Sequence, residues 1–86
     1  MRIEFARSFD RQYVKLPKKI QDKFITRLEM WENNPNAPQL HDHALTGKYR
    51  GYRSINITGD VRALYTRNGE TIIIFGFIGT HSQLYG

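Results

Sequence analysis

The most constraining feature of the sequence is a pair of short turn signals that divide its second half into three β-rich runs. Tyr52 to Ile57, Val61 to Arg67 and Thr71 to Ile78 are crowded with β-branched and aromatic residues and contain no proline. Thr58-Gly59-Asp60 separates the first two runs, and Asn68-Gly69, a strong hairpin dipeptide, separates the last two. Connections this short leave no room for a crossover, so neighbouring strands must run antiparallel. The first half has a different period. Residues 2–5 alternate polar and apolar as a half-buried strand does. Ser8 is placed to cap a short helix whose apolar side is Phe9, Tyr13 and Leu16. Pro17 suits the first turn of a second helix, with Ile20, Phe24, Leu28 and Trp31 on one stripe. Asn33-Asn34-Pro35-Asn36-Ala37-Pro38 stops it.

Residues 7–32 therefore read as two helices meeting at a tight corner, between an N-terminal strand and a three-stranded antiparallel meander. The expected fold class is α+β, a single domain over residues 1–86, with the helices on one face of one sheet. Residues 33–46 form a longer connection than most and are expected to be functional or loosely ordered. No run approaches the roughly 20 apolar residues of a membrane span. With no cysteine, disulfides, thiolate metal sites and cysteine nucleophiles are excluded, which fits a reducing cytoplasmic setting.

Charge narrows the partners. The formal net charge is +5, and residues 46–67 concentrate it: Lys48, Arg50, Arg53, Arg62 and Arg67 face only Asp60. Tyr49, Tyr52 and Tyr65 are interleaved with them. Guanidinium groups for phosphates and rings for unstacked bases are what single-stranded RNA requires, although solvated strand positions account for the same pattern. Lys48 and Arg50, beside Gly47 and Gly51, are candidates for an RNA backbone. Arg53 alternates away from Tyr52 and Ser54, and fits a structural ion pair as well as a phosphate contact.

All three histidines lie outside the helices. His41 and His43 form a His-x-His pair, but no further ligand stands at a recognisable metal spacing, so no metal or other cofactor is expected. Two imidazoles titrating near neutrality can instead serve as base and acid in phosphodiester cleavage. A backbone-bonded loop histidine remains the plainer reading of each. His41 reads as a solvated loop residue, Trp31 as core, and Asp60 as a turn cap.

Four segments carry a resemblance: Asp42-His43-Ala44-Leu45-Thr46-Gly47, Gly51-Tyr52-Arg53, Gly59-Asp60-Val61-Arg62-Ala63-Leu64-Tyr65, and Ile78-Gly79-Thr80-His81-Ser82-Gln83-Leu84-Tyr85. In kind and order they resemble the YafQ branch of the RelE/ParE superfamily, small toxins of type II toxin–antitoxin systems. The resemblance implies a ribosome-dependent endoribonuclease that cuts messenger RNA in the decoding site, touches ribosomal RNA and is neutralised by a cognate antitoxin protein. It implies catalytic roles for His43, Asp60, His81, Tyr85 and Arg62, with Tyr85 matching a C-terminal aromatic of YafQ-like toxins and a catalytic tyrosine of RelE-like ones, and Arg62 a phosphate-binding arginine. Lys48, Arg50, Tyr52, Arg53 and Asn56 complete the expected RNA-contacting set.

Two positions depart from the YafQ pattern, with Asn56 where it carries a histidine and Val61 where it carries a tryptophan. The lysines that RelE-like toxins show on the first meander strand are also missing. ParE-like relatives, which poison a protein target such as DNA gyrase, share the fold but generally lack this histidine set. A degenerate toxin that only binds its antitoxin is the third alternative.

Overall fold

The computed structural model describes residues 1–86. Its elements, in chain order, are β1 (Arg2–Phe5), α1 (Arg7–Tyr13), α2 (Lys18–Asn33), β2 (His43–Ala44), β3 (Arg53–Asn56), β4 (Val61–Asn68), β5 (Ile72–Thr80) and α3 (His81–Tyr85). Short 3₁₀ turns at Pro38–Leu40 and Gly47–Tyr49 flank β2. The five strands form one sheet in the order β1-β5-β4-β3-β2. The meander β3-β4-β5 is antiparallel, as its short connections require, whereas β1 runs parallel to β5 with Ile3 opposite Ile73. That parallel pairing is made possible by the intervening chain, which provides the long crossover a parallel pair needs.

The helical period delivers the expected core. Phe24 and Trp31 of α2 are fully buried against Phe9, Ile55, Ala63, Tyr65, Phe75 and Ile78, with Ile20 and Leu28 packed at the margin. Rings dominate this layer: Phe24 meets Phe75 edge-on at 5.6 Å, and Trp31 meets Tyr65 at 5.1 Å. Such pairs add specific geometry to simple area burial.

Four details differ from the sequence expectation. Ser8 does not cap α1; Ala6 holds the N-cap position, and the Ser8 hydroxyl donates to the Gly76 carbonyl at 2.6 Å. That carbonyl is free because β5 bulges there: Leu64 pairs with Phe77 but Tyr65 with Phe75, leaving Gly76 over. Pro17 sits one position earlier than the first helical turn, as the N-cap of α2. The connection over residues 33–46 is not loose, since its His43 and Ala44 add a fifth strand opposite Ser54 and Arg53. Finally, α1 and α2 share one face as expected, but a third helix is present. α3 packs through Leu84 on the other side of the sheet, against Tyr49, Leu64, Tyr52 and Phe77.

Candidate active site

Paired residues share a face of a sheet, and faces alternate along each strand. The register therefore sorts the candidates. His43, Ser54, Leu64 and Phe77 lie in one row on the face away from α1 and α2. Asn56, Arg62 and Gly79 form the next row on that face. The last pair of the β4-β5 ladder is Val61 with Thr80, so Asp60 and His81 are the residues immediately beyond it on neighbouring strands. His43, Asn56 and Arg62 thus share the open face, and Asp60 and His81 lie at one end of it. His43 stands three strands across from His81, in a different row.

Each side chain is held differently. The Nδ1 of His43 lies 2.8 Å from the His41 carbonyl oxygen. A carbonyl can only accept, so Nδ1 carries the proton, and in the neutral ring Nε2 keeps its lone pair. His41 adopts a left-handed conformation with φ of 46°, and its carbonyl faces the imidazole two residues on. The two rings lie 4.7 Å apart. No group of three or more His, Cys, Asp or Glu side chains comes together anywhere in the chain.

Arg62 folds back over its own turn. One terminal nitrogen donates to the carbonyls of Thr58 at 2.9 Å and Val61 at 3.2 Å, and the other to Gly59 at 3.2 Å. A guanidinium has five N–H groups, so the Nε–H and one terminal N–H remain for a ligand. The Thr58 hydroxyl accepts from the Asp60 and Val61 amides, which leaves the Asp60 carboxylate exposed at the tip. Asn56, opposite Arg62, has a buried Oδ1 with no hydrogen-bond partner.

His81 opens α3, a helix of one and a half turns. Thr80 and Gln83 form a reciprocal capping box: the Gln83 amide donates to the Thr80 hydroxyl at 3.1 Å, and the Thr80 amide to Gln83 Oε1 at 2.8 Å. The helix folds back closely over Gly79, where a Cβ would stand 3.0 Å from Gln83 Oε1. His81 and Tyr85, one turn apart, stack at 4.8 Å and 30°. Both are exposed.

Three residues of the expected RNA-contacting set are engaged elsewhere. Arg53 lies on the helix-covered face, where its Nε donates to Asp42 Oδ1 at 2.8 Å. That bond raises the Arg53 pKa further above its ordinary value. Of the two readings open for Arg53, the ion pair is the one realised. Lys48 Nζ donates to the Leu84 carbonyl at 3.0 Å. Tyr52 lies flat over Gly76, where any Cβ would meet its ring at 2.8 Å. Arg50 alone projects freely, from a corner whose glycines, Gly47 and Gly51, both take positive φ.

Asp42 had no expected role of its own. Its Oδ2 accepts from Trp31 Nε1 at 3.2 Å and from the Tyr65 hydroxyl at 2.5 Å, while Oδ1 takes Arg53. Burial, followed by the bond to Asp42, raises the Tyr65 pKa above its usual 10. α3 also escaped the sequence reading, although Thr80-x-x-Gln83 is a capping-box signature.

Known proteins share this fold. The family described as the bacterial toxin of type II toxin–antitoxin systems, YafQ, matches residues 1–86. The YafQ protein of Haemophilus influenzae is 31% identical over 71 residues, covering 76% of this chain and 70% of that protein. Crystalline YafQ from Escherichia coli strain BL21(DE3) is 27% identical and superposes over the whole of both chains with a TM-score of 0.81. The same likeness holds for the E. coli DinJ–YafQ toxin–antitoxin complex, with 27% identity, 98% of this chain and 96% of that one covered, and a TM-score of 0.77. With its full length matched and its fold shared, this chain belongs to the YafQ family of type II toxins.

Proposed function

We propose that this toxin is a ribosome-dependent endoribonuclease that cuts messenger RNA by metal-independent acid–base catalysis. The observation that carries the reading is the way the His43 ring is held, with Nδ1 2.8 Å from the His41 carbonyl oxygen. Its Nδ1–H is committed to the His41 carbonyl, so the neutral ring presents a basic Nε2. The nucleophile is the RNA's own 2′-hydroxyl. His43 Nε2 takes its proton as the 2′-oxygen attacks phosphorus; the bond from phosphorus to the 5′-oxygen breaks, and His81, as imidazolium, protonates that leaving oxygen. The products are a 2′,3′-cyclic phosphate and a free 5′-hydroxyl, with both protons accounted for. Each proton transfer contributes roughly 100- to 10,000-fold.

The remaining residues support these two. The two unused N–H groups of Arg62 face the charge that develops on the phosphorane oxygens. Asp60, an exposed anion at the same end of the sheet, stabilises a histidinium. Tyr85, exposed and already stacked with His81, offers a platform for a base. Arg50, exposed at its corner, contacts ribosomal RNA backbone. The basic chain is silenced by a cognate antitoxin, as the E. coli relative is found in complex with DinJ.

The test is an in vitro translation reaction with the purified protein, messenger 5′-ends mapped by primer extension, and a matched tube without ribosomes. Cleavage should require ribosomes and should fall at least about 100-fold in His43→Ala and in His81→Ala. Intact messenger from a protein that still arrests growth would overturn the reading in favour of a toxin that binds a protein target.

A further inference from the structure

The residue that holds α3 in place is not among those expected to act. A helix of five residues has no stability of its own, and its terminal carbonyls need partners. The capping box secures the N-terminal end of α3. At the other end the Leu84 carbonyl accepts two bonds from the 3₁₀ turn Gly47–Tyr49: the buried Tyr49 hydroxyl at 2.7 Å and Lys48 Nζ at 3.0 Å. A positive charge there also suits the helix dipole. The Tyr49 ring meets Tyr85 edge-on at 5.2 Å and 89°, and Tyr85 in turn stacks on His81 at 4.8 Å. The rest of the Tyr49 ring packs on Phe77, at 5.0 Å, so the tyrosine stands on the sheet itself.

We propose that Tyr49 is a positioning residue for His81, acting through the Leu84 carbonyl and the Tyr85 ring. This rests on the reading of His81 as a catalytic acid. A purely packing role would need only the ring, yet the hydroxyl reaches a carbonyl 35 residues away in the chain. His81 is exposed and has no hydrogen-bonding partner that would fix its ring, so the stack with Tyr85 is what orients it. Tyr85 is likewise exposed, and Tyr49 is the ring that backs it. Lys48 belongs to the same clamp, with its ammonium 5.3 Å from the Tyr49 ring centroid.

Tyr49→Phe removes the hydroxyl and keeps the ring, and Lys48→Met removes the second donor while keeping an aliphatic stem. On ribosomes programmed with messenger, Tyr49→Phe should lower the saturating cleavage rate about fivefold, the effect of one lost hydrogen bond, without changing the concentration for half-saturation. In a His81→Ala background the same substitution should have no further effect, because the residue it orients is gone. A change confined to half-saturation, or an equal loss with and without His81, would overturn the proposal.

A second readout does not depend on cleavage. In the free protein, Tyr49→Phe and Lys48→Met should shift the His81 imidazole resonances, through the ring current of Tyr85, and leave those of His41 and His43 in place. Unmoved His81 resonances would sink the positioning role even if cleavage is real. Shifted resonances in a protein that cuts nothing would instead leave the clamp standing and overturn the nuclease reading.

Discussion

The two faces of the sheet carry adjacent residues to opposite ends. Asp42 turns towards the helices and accepts hydrogen bonds from Trp31, Tyr65 and Arg53, with its side chain 10% exposed. His43, the next residue, turns to the open face and makes one bond, to the backbone carbonyl of His41. On the helix side the Asp42 carboxylate is matched by three donors and rings interlock. On the other side Arg62 retains free donors, Asn56 an unpartnered acceptor, and His81 and Tyr85 lie exposed on a short helix. The helix face commits Asp42 and its three donors to holding the fold; the other face, outside the Lys48 and Tyr49 bonds to Leu84, leaves part of Arg62 and the rings of His81 and Tyr85 open to a ligand. Chemical residues stay free only because their neighbours are committed.

Substitutions on the two faces should separate activity from stability. The largest expected effect is on the open face: His43→Ala should reduce ribosome-dependent cleavage by about 100- to 10,000-fold while changing stability to urea by less than about 0.5 kcal/mol. On the helix face the signature should invert. Asp42→Ala leaves the buried donors of Trp31 and Tyr65 unmatched and should lower unfolding free energy by about 3 kcal/mol, measured by urea denaturation. A stable, inactive Asp42→Ala protein would show that the carboxylate serves the chemistry directly.

Gly76→Ala sharpens the boundary between the faces. Its Cβ would press into the Tyr52 ring at 2.8 Å, and a cost of about 1–2 kcal/mol is expected in the same assay. The smallest effect is at high pH. The neutral form of Tyr65 is the one the fold favours, because its folded pKa is raised by burial and by Asp42. Its contribution is therefore fully present below the unfolded value near 10 and is lost as pH rises through the higher folded value. Absorbance at 295 nm should show two phenols titrating late, Tyr13 and Tyr65, of which Tyr65→Phe removes one, and that substitution should flatten the stability loss above pH 10.

Much of the fold was legible because it follows from local rules. The α2 stripe of Ile20, Phe24, Leu28 and Trp31 faces the core at its helical spacing. The meander runs antiparallel, although Gly69, Glu70 and Thr71 form a three-residue loop between Asn68 and Ile72. β2 was missed because two residues carry no period; they become a strand only when Ser54 and Arg53 stand opposite. α3 was missed because five residues carry no stripe, and its capping box was the only local sign. The histidines and Asp60 were singled out by residue type and by family resemblance. Arg53 could not be assigned from spacing, since its partner Asp42 lies 11 residues away.

By itself the sequence determined the longer periods, the turns and the chemical inventory: that residues 7–32 are helical, which strands must pair antiparallel, and which side chains can exchange protons or bind phosphate. These depend on interactions between near neighbours along the chain. Tertiary structure alone decided which of those side chains are used up. The Leu84 carbonyl falls to Lys48 and Tyr49, Asp42 to Trp31, Tyr65 and Arg53, while Arg62 keeps two donors free. Most of those pairings join residues far apart in sequence, and a hydrogen bond of 3 Å is set by where the sheet and helices bring the backbone, not by the identity of either partner.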